Sequence, residues 1–209
     1  MRKVEGFVDY QKNGWDSFFK SKGDGWRNKD YIGLSRVFDL SALNGSLLDV
    51  GCALGDGFMF LQTHCPDVTH LSGSDFSEYA IDKCRNKPCL KFVDFFIHNI
   101  EDSFTGKYDN VICLQTLEHV SDPVLALQNL IAATNQVLIV ATPYKNRRPD
   151  ENHLWVFDEE DFVDLLDDYC LDKKKKNIYW ILDKQKKGLS FRKSGKISRI
   201  LKVLRIPGF

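Results

Sequence analysis

The sequence lacks most of what a membrane, secreted or repeat protein requires. No run of ~18 apolar residues occurs in its 209 residues, so it offers no spanning helix. The first twenty residues, MRKVEGFVDYQKNGWDSFFK, mix charges without a continuous apolar segment, and no signal peptide is expected. Six cysteines, at 52, 65, 84, 89, 113 and 170, include no Cys-x-x-Cys pair. Reduced thiols in a cytoplasmic protein are therefore expected, in preference to a disulfide framework or a zinc site. Internal repeats and low-complexity linkers are missing as well, apart from the lysine run 173–176.

What is present describes a globular chain. Apolar residues make up 43% and charged residues 28%, and the length fills one core but is short for two ordinary domains. The net charge of zero hides an asymmetry. Residues 173–209 hold 13 Lys and Arg against one acid, Asp183, which leaves an acidic body. Such a tail suits an anionic membrane surface, nucleic acid, or the chain's own acidic body.

Apolar runs that read as buried strands recur at Ser46–Val50, Val68–Ser74, Leu90–Ile97, Asn110–Leu114 and Gln136–Ala141, with one more in NIYWILD at 177–183. Helical patterns alternate with them at Gly55–Cys65, Phe76–Arg85, Pro123–Ala133 and Asp158–Tyr169. Asp122 before Pro123 reads as an N-cap. Weaker helical patterns at Tyr10–Lys20 and Asn28–Leu40 precede the first strand, and SGKISRILKVLR, at 194–205, reads as a basic amphipathic helix. The alternation predicts an α/β fold, a doubly wound, mostly parallel sheet with helices on both faces. The expected organisation is a helical cap over 1–44, a core over 45–183 and a basic extension over 184–209.

The first strand runs into glycines, in LLDVGCALGDG at 47–57. A loop there lies at the carboxyl edge of the sheet, where open parallel sheets bind ligands. Glycines permit positive φ and close backbone approach. The order G-x-x-x-G-x-G is not the G-x-G-x-x-G of a dinucleotide site. Asp56 stands where a phosphate-binding loop would need lysine. Asp75, at the end of the second strand, offers a carboxylate to a pair of hydroxyls and also suits the cap of the next helix.

Asp49-Val-Gly-Cys-Ala-Leu-Gly-Asp-Gly resembles the first motif of the class I S-adenosylmethionine-dependent methyltransferases, with Ala53 in place of the middle glycine. YDNVICLQTLEHVSDP, at 108–123, resembles that family's segment around the fourth strand, and ENHLWVF, at 151–157, one of its small-molecule subgroups. The likeness covers roughly residues 45–170 and implies a Rossmann-like fold and S-adenosyl-L-methionine as cofactor. It further implies cofactor contacts at Asp49, Gly51, Cys52, Gly55, Gly57, Asp75, Phe76, Asn99, Ile100 and Gln115. Asp75 would take the ribose hydroxyls, Phe76 would pack on adenine, Asn99 and Ile100 would meet its edge, and Gln115 would lie near the methionine part. Asn99 also reads as an ordinary turn residue.

Methyl transfer to a hydroxyl or amine profits from a general base, and histidine is the side chain best tuned to that near neutral pH. His119 and His153 are the candidates. With Glu118 and Glu151 they could ligate a metal, but they come from separate loops and no metal is expected. Trp15, Trp26 and Tyr31, ahead of the core, would either close over the site or pack the N-terminal helices. The function that follows is methylation at O or N of a small-molecule, sugar- or lipid-linked acceptor. The alternatives are an RNA methyltransferase using the basic tail, and a binding module without turnover.

Overall fold

The computed structural model describes residues 1–5, 12–22, 28–145, 150, 152–172 and 177–186. Its elements run β1 (Arg2–Lys3), α1 (Lys12–Lys20), α2 (Asn28–Val37), β2 (Asn44–Val50), α3 (Phe58–His64), β3 (Asp67–Asp75), α4 (Glu78–Arg85), β4 (Val93–Ile97) and β5 (Tyr108–Leu114). They continue with α5 (Pro123–Ala133), β6 (Thr134–Pro143), β7 (Trp155–Val156), β8 (Asp168–Asp172) and β9 (Asn177–Asp183). Single 3-10 turns lie at Leu40–Ala42, Pro88–Leu90 and Leu117–His119.

Seven strands form one sheet in the order β4-β3-β2-β5-β6-β9-β8, while β1 and β7 pair separately. The strands from β4 to β6 are mutually parallel, and β9 runs antiparallel to both β6 and β8. The chain winds from β2 out to β4 and then returns to start again at β5. The winding therefore reverses between β2 and β5, and the crevice beyond their carboxyl ends is the natural ligand position.

Successive strand residues point to opposite faces, and the two cores follow that period of two. Leu47, Ile112, Ile139 and Ile181 enter a core with Tyr31, Leu34, Phe58 and Leu61 from α2 and α3. Leu48, Val111, Leu138 and Trp180 enter the other with Leu127 and Leu130 from α5. Full burial of each such side chain stabilises by about 1.5–3 kcal/mol. Both faces are covered, which is why these strands read as continuous apolar runs.

Helix starts follow side-chain chemistry. Asp122 Oδ1 accepts from the amides of Val124 and Leu125, each at 3.0 Å, ahead of Pro123 in the first turn of α5. Helix α4 is capped not by Asp75 but by Ser77, whose Oγ accepts from Ala80 N at 3.1 Å.

One expected helix is absent. Residues 159–165 form turns, and 168–172 form β8. The acidic side chains capture local amides: Asp161 Oδ2 takes Asp158 N at 2.7 Å, and Asp158 Oδ1 takes Glu160 N at 3.0 Å. These bonds compete with a helical ladder. Phe162 and Leu166 are buried all the same, at 0% and 3% exposure, so the apolar stripe was a true core signal with the wrong geometry attached. The run Leu90–Ile97 is likewise split, because Pro88–Leu90 closes a 3-10 turn before β4 begins at Val93. None of the six cysteines forms a disulfide. No helix among the described residues is long and apolar enough to cross a membrane. The 194–205 helix pattern, the lysine run and Trp26 lie outside the described residues.

Candidate functional site

The glycine loop is shaped by its neighbours as much as by any ligand. Gly51 and Gly55 have φ of +73° and +75°, and a Cβ at either would strike a neighbour. At Gly51 it would lie 2.3 Å from Thr116 Oγ1, and at Gly55 2.8 Å from Leu90 Cδ1. Gly57 is different. Its φ of −78° suits any residue, but a Cβ would sit 2.0 Å from the Tyr31 ring. That ring is 0% exposed, and its hydroxyl donates to Asp49 Oδ2 at 2.6 Å. The third glycine thus makes room for the tyrosine that holds Asp49. Tyr31 is consequently a core residue and not a lid.

Ala53, in the middle glycine position, adopts φ +51°. A left-handed L-residue costs roughly 1–2 kcal/mol. The conformation is held by Asp75, whose Oδ2 accepts from Ala53 N at 2.9 Å, while Oδ1 accepts from Ser77 N at 3.0 Å. Other loop amides are also spent within the protein. Gly51 N and Cys52 N both donate to Ser74 O, and Gly55 N donates to Cys52 O. These peptide groups set the loop's shape and are not bare donors. Cys52 turns its thiol into the core beside Cys84, where burial pushes it well above the ordinary thiol range.

The strand ends converge. His98 N donates to Asp75 O at 3.0 Å, which ties Asn99 and Ile100 to the tip of β3. Asn99 is exposed, and its Oδ1 closes a turn onto Glu101 N at 3.1 Å; Ile100 is buried. Phe76 is half-buried, with its ring 6.4 Å from that of Trp15. Gln115, just past β5, also has a left-handed φ of +51°, and its amide donates to Ala141 O at 2.7 Å. Its Nε2 is buried without a hydrogen-bond partner.

This geometry fits a nucleoside joined to an amino acid. Asp75 presents two carboxylate oxygens, each accepting one amide, and a carboxylate is the group that can accept from two adjacent hydroxyls. The Gln115 amide is an orphaned donor suited to a carboxylate or carbonyl.

Beyond Gln115 the 3-10 turn carries Glu118 and His119. The segment 152–155 is stitched to it by Leu154 N donating to Glu118 O at 2.7 Å and His119 Nδ1 donating to Asn152 O at 2.9 Å. A third bond runs from Trp155 Nε1 to Val120 O at 2.8 Å. The His119 and His153 rings are consequently 4.8 Å apart, edge to face. Trp15 on α1 also lies edge to face on His119 at 4.8 Å, so the first helix covers this end of the crevice. His153 is 7% exposed, and burial holds its imidazole below the ordinary range, against a weaker upward pull from Asp150. Ligating atoms of Glu118, His119 and His153 lie within 4.8 Å of one another. The sequence had kept these residues on separate loops, and no local signal announces the stitching. Glu151 lies outside the described residues.

Comparison with known proteins points the same way. A family model described as a methyltransferase domain matches residues 31–172. Among solved structures, the N-methyltransferase NodS of Bradyrhizobium japonicum WM9, in complex with S-adenosyl-L-homocysteine, is 16% identical with a TM-score of 0.62; the match covers 81% of this chain and 97% of that one. An O-methyltransferase family protein of Burkholderia thailandensis is 14% identical with a TM-score of 0.67, covering 86% and 64%. Magnesium protoporphyrin IX methyltransferase of Synechocystis PCC 6803, with bound S-adenosyl-L-homocysteine, is 18% identical with a TM-score of 0.52, covering 82% and 81%. No curated protein matches the chain in sequence. The family match spans most of the chain, from the helix that carries Tyr31 to the end of β8, and the chain belongs to the methyltransferase-domain family as an S-adenosylmethionine-dependent class I enzyme.

Proposed function

We propose that the protein methylates an oxygen or nitrogen of a small-molecule, sugar- or lipid-linked acceptor, bound at the end of the crevice lined by His119 and His153. The observation that supports this reading is the pairing of the two imidazoles 4.8 Å apart just past the carboxyl end of β5, with Trp15 edge to face on His119. The cofactor, when bound, supplies a methyl on a sulfonium for in-line displacement. The chain's own residues align the partners and exclude water. Asp75 binds the ribose hydroxyls, Phe76 packs on the adenine, and Asn99 and the Ile100 amide meet its edge. Gln115 binds the methionine end, beside the loop whose shape Gly51, Cys52, Gly55 and Gly57 set. Asp49, fixed by Tyr31, gives that end its negative charge. Trp15 closes the acceptor side.

Burial lowers the pKa of His153, whose buried Nδ1 has no hydrogen-bond partner and is suited to receive the acceptor's proton, and the Asn152 carbonyl orients His119 beside it. Replacement of either histidine by asparagine should lower turnover by about 10²–10⁴-fold with cofactor affinity kept. The test is incubation with methyl-labelled S-adenosylmethionine and a panel of phenols, carboxylates, amines and glycolipid acceptors. Transfer to a panel member supports the reading. Labelling of RNA alone would favour methylation through the basic tail, whose residues 173–176 and 187–209 lie outside the described ones. Cofactor binding without transfer to any acceptor would favour a module without turnover.

A further inference from the structure

We propose that Glu118, His119 and His153 form a binding site for one divalent transition-metal ion at the acceptor end of the crevice. The inference rests on the functional reading above, because it gives that end of the crevice a Lewis acid.

The orientation of His119 carries the argument first. Its Nδ1 lies 2.9 Å from the Asn152 carbonyl, an oxygen that only accepts, so Nδ1 carries a proton and Nε2 is the nitrogen turned toward the crevice end. A backbone carbonyl on the far nitrogen is the usual means of orienting a metal-bound imidazole. Nε2 faces Glu118 Oε1 at 3.9 Å. An imidazole and a carboxylate at that spacing are types of ligand that zinc-like ions bind, at about 2.0–2.2 Å.

His153 supplies the second, independent observation. Its side chain is 8% exposed, and its Nδ1 is buried with no hydrogen-bond partner, while Nε2 stands 3.6 Å from Asp150 Oδ2. A buried nitrogen of that kind is a polar group without its ligand. One ligating atom from each of the three residues lies within 4.8 Å of the others, and closing on an ion would draw them together by about 1 Å.

The donor set decides the class of ion. Two imidazoles and one carboxylate suit Zn²⁺, Co²⁺, Mn²⁺ or Fe²⁺, whereas Mg²⁺ and Ca²⁺ prefer all-oxygen sites. Three protein ligands leave at least one position open, as in catalytic rather than structural sites. An acceptor hydroxyl bound there would lose its proton to solvent near neutral pH. Its oxygen would then form the bond to the methyl carbon as the carbon–sulfur bond breaks. The sulfur would keep that electron pair and leave as a neutral thioether. The histidines then serve as ligands, and the ion takes over the activation that a bare imidazole would otherwise provide.

The test uses the full chain, stripped with a chelator and titrated with Co²⁺, read by visible absorption and by metal analysis. One Co²⁺ per chain is expected, with the absorption bands of nitrogen-bound cobalt. Glu118→Gln, His119→Asn and His153→Asn should each weaken binding by at least about tenfold. The exposed His70→Ala should change nothing. Melting curves and S-adenosylhomocysteine binding are measured on every variant to show that each is folded. Wild-type protein that binds S-adenosylhomocysteine but no Co²⁺ overturns the metal site alone and leaves the methyltransferase reading standing. Equal Co²⁺ affinity in all folded variants overturns it too. Protein that binds neither overturns the functional reading beneath it.

Discussion

Replacing Gly57 by alanine tests the reason given for the third glycine. The new Cβ would stand 2.0, 2.2 and 2.5 Å from three carbons of the Tyr31 ring. Carbon atoms ordinarily meet at about 3.5–4.0 Å, so the ring must retreat by roughly 1.5 Å. It has no free space, being 0% exposed, and its hydroxyl is anchored on Asp49 at 2.6 Å. Overpacking costs about 1–3 kcal/mol. Loss of a hydrogen bond to a charged group adds about 1.5–3 kcal/mol. The expected destabilisation is about 3–5 kcal/mol, or roughly 10 °C in melting temperature for a chain of this size. The assay is urea unfolding of a double-mutant cycle with Tyr31→Leu. In the Tyr31→Leu background the added methyl should cost less than about 1 kcal/mol. A cost for Gly57→Ala that is small, or the same in both backgrounds, would refute the reasoning.

Other expectations follow from the same geometry. Ala53→Gly should leave stability within about 0.5 kcal/mol of wild type, because relief of left-handed strain, ~1 kcal/mol, offsets one lost buried methyl, ~0.8 kcal/mol; chemical unfolding checks it. Gln115→Ala removes a buried donor without a partner, so it should hold or raise the melting temperature while weakening S-adenosylhomocysteine about tenfold, read by calorimetry. Burial lowers the pKa of His98 from 6.5, against weaker upward pulls from Asp102. The unfolded chain then binds that proton more readily, so this contribution is present above pH 6.5 and fades as the pH falls below it. His98→Gln should flatten the stability–pH curve in that acidic window, measured by urea unfolding at several pH values.

The strands were legible because burial on both faces writes a continuous apolar run, as in Leu47–Val50 and Leu138–Ala141. The Asp122 cap was legible because capping is local. The turns at 159–165 were not, since Phe162 and Leu166 fall at a helical spacing while Asp158 and Asp161 take the amides a helix would need. At the site, Asp75 and the glycine loop announced themselves by position at strand ends. The partnership of Tyr31 with Asp49 and Gly57, and of His119 with His153, depends on contacts between distant parts of the chain that no local pattern encodes.

The central claim is that β2, β3 and β5 end on one cleft built for S-adenosylmethionine, with Asp75 as its ribose ligand. Calorimetric titration of S-adenosylhomocysteine into wild-type protein and Asp75→Asn measures this most directly. The account predicts saturable one-site binding by the wild type and at least about tenfold weaker binding by the folded variant, the loss of one hydrogen bond to a charged group. No binding at millimolar ligand, or equal affinity in both proteins, would contradict it.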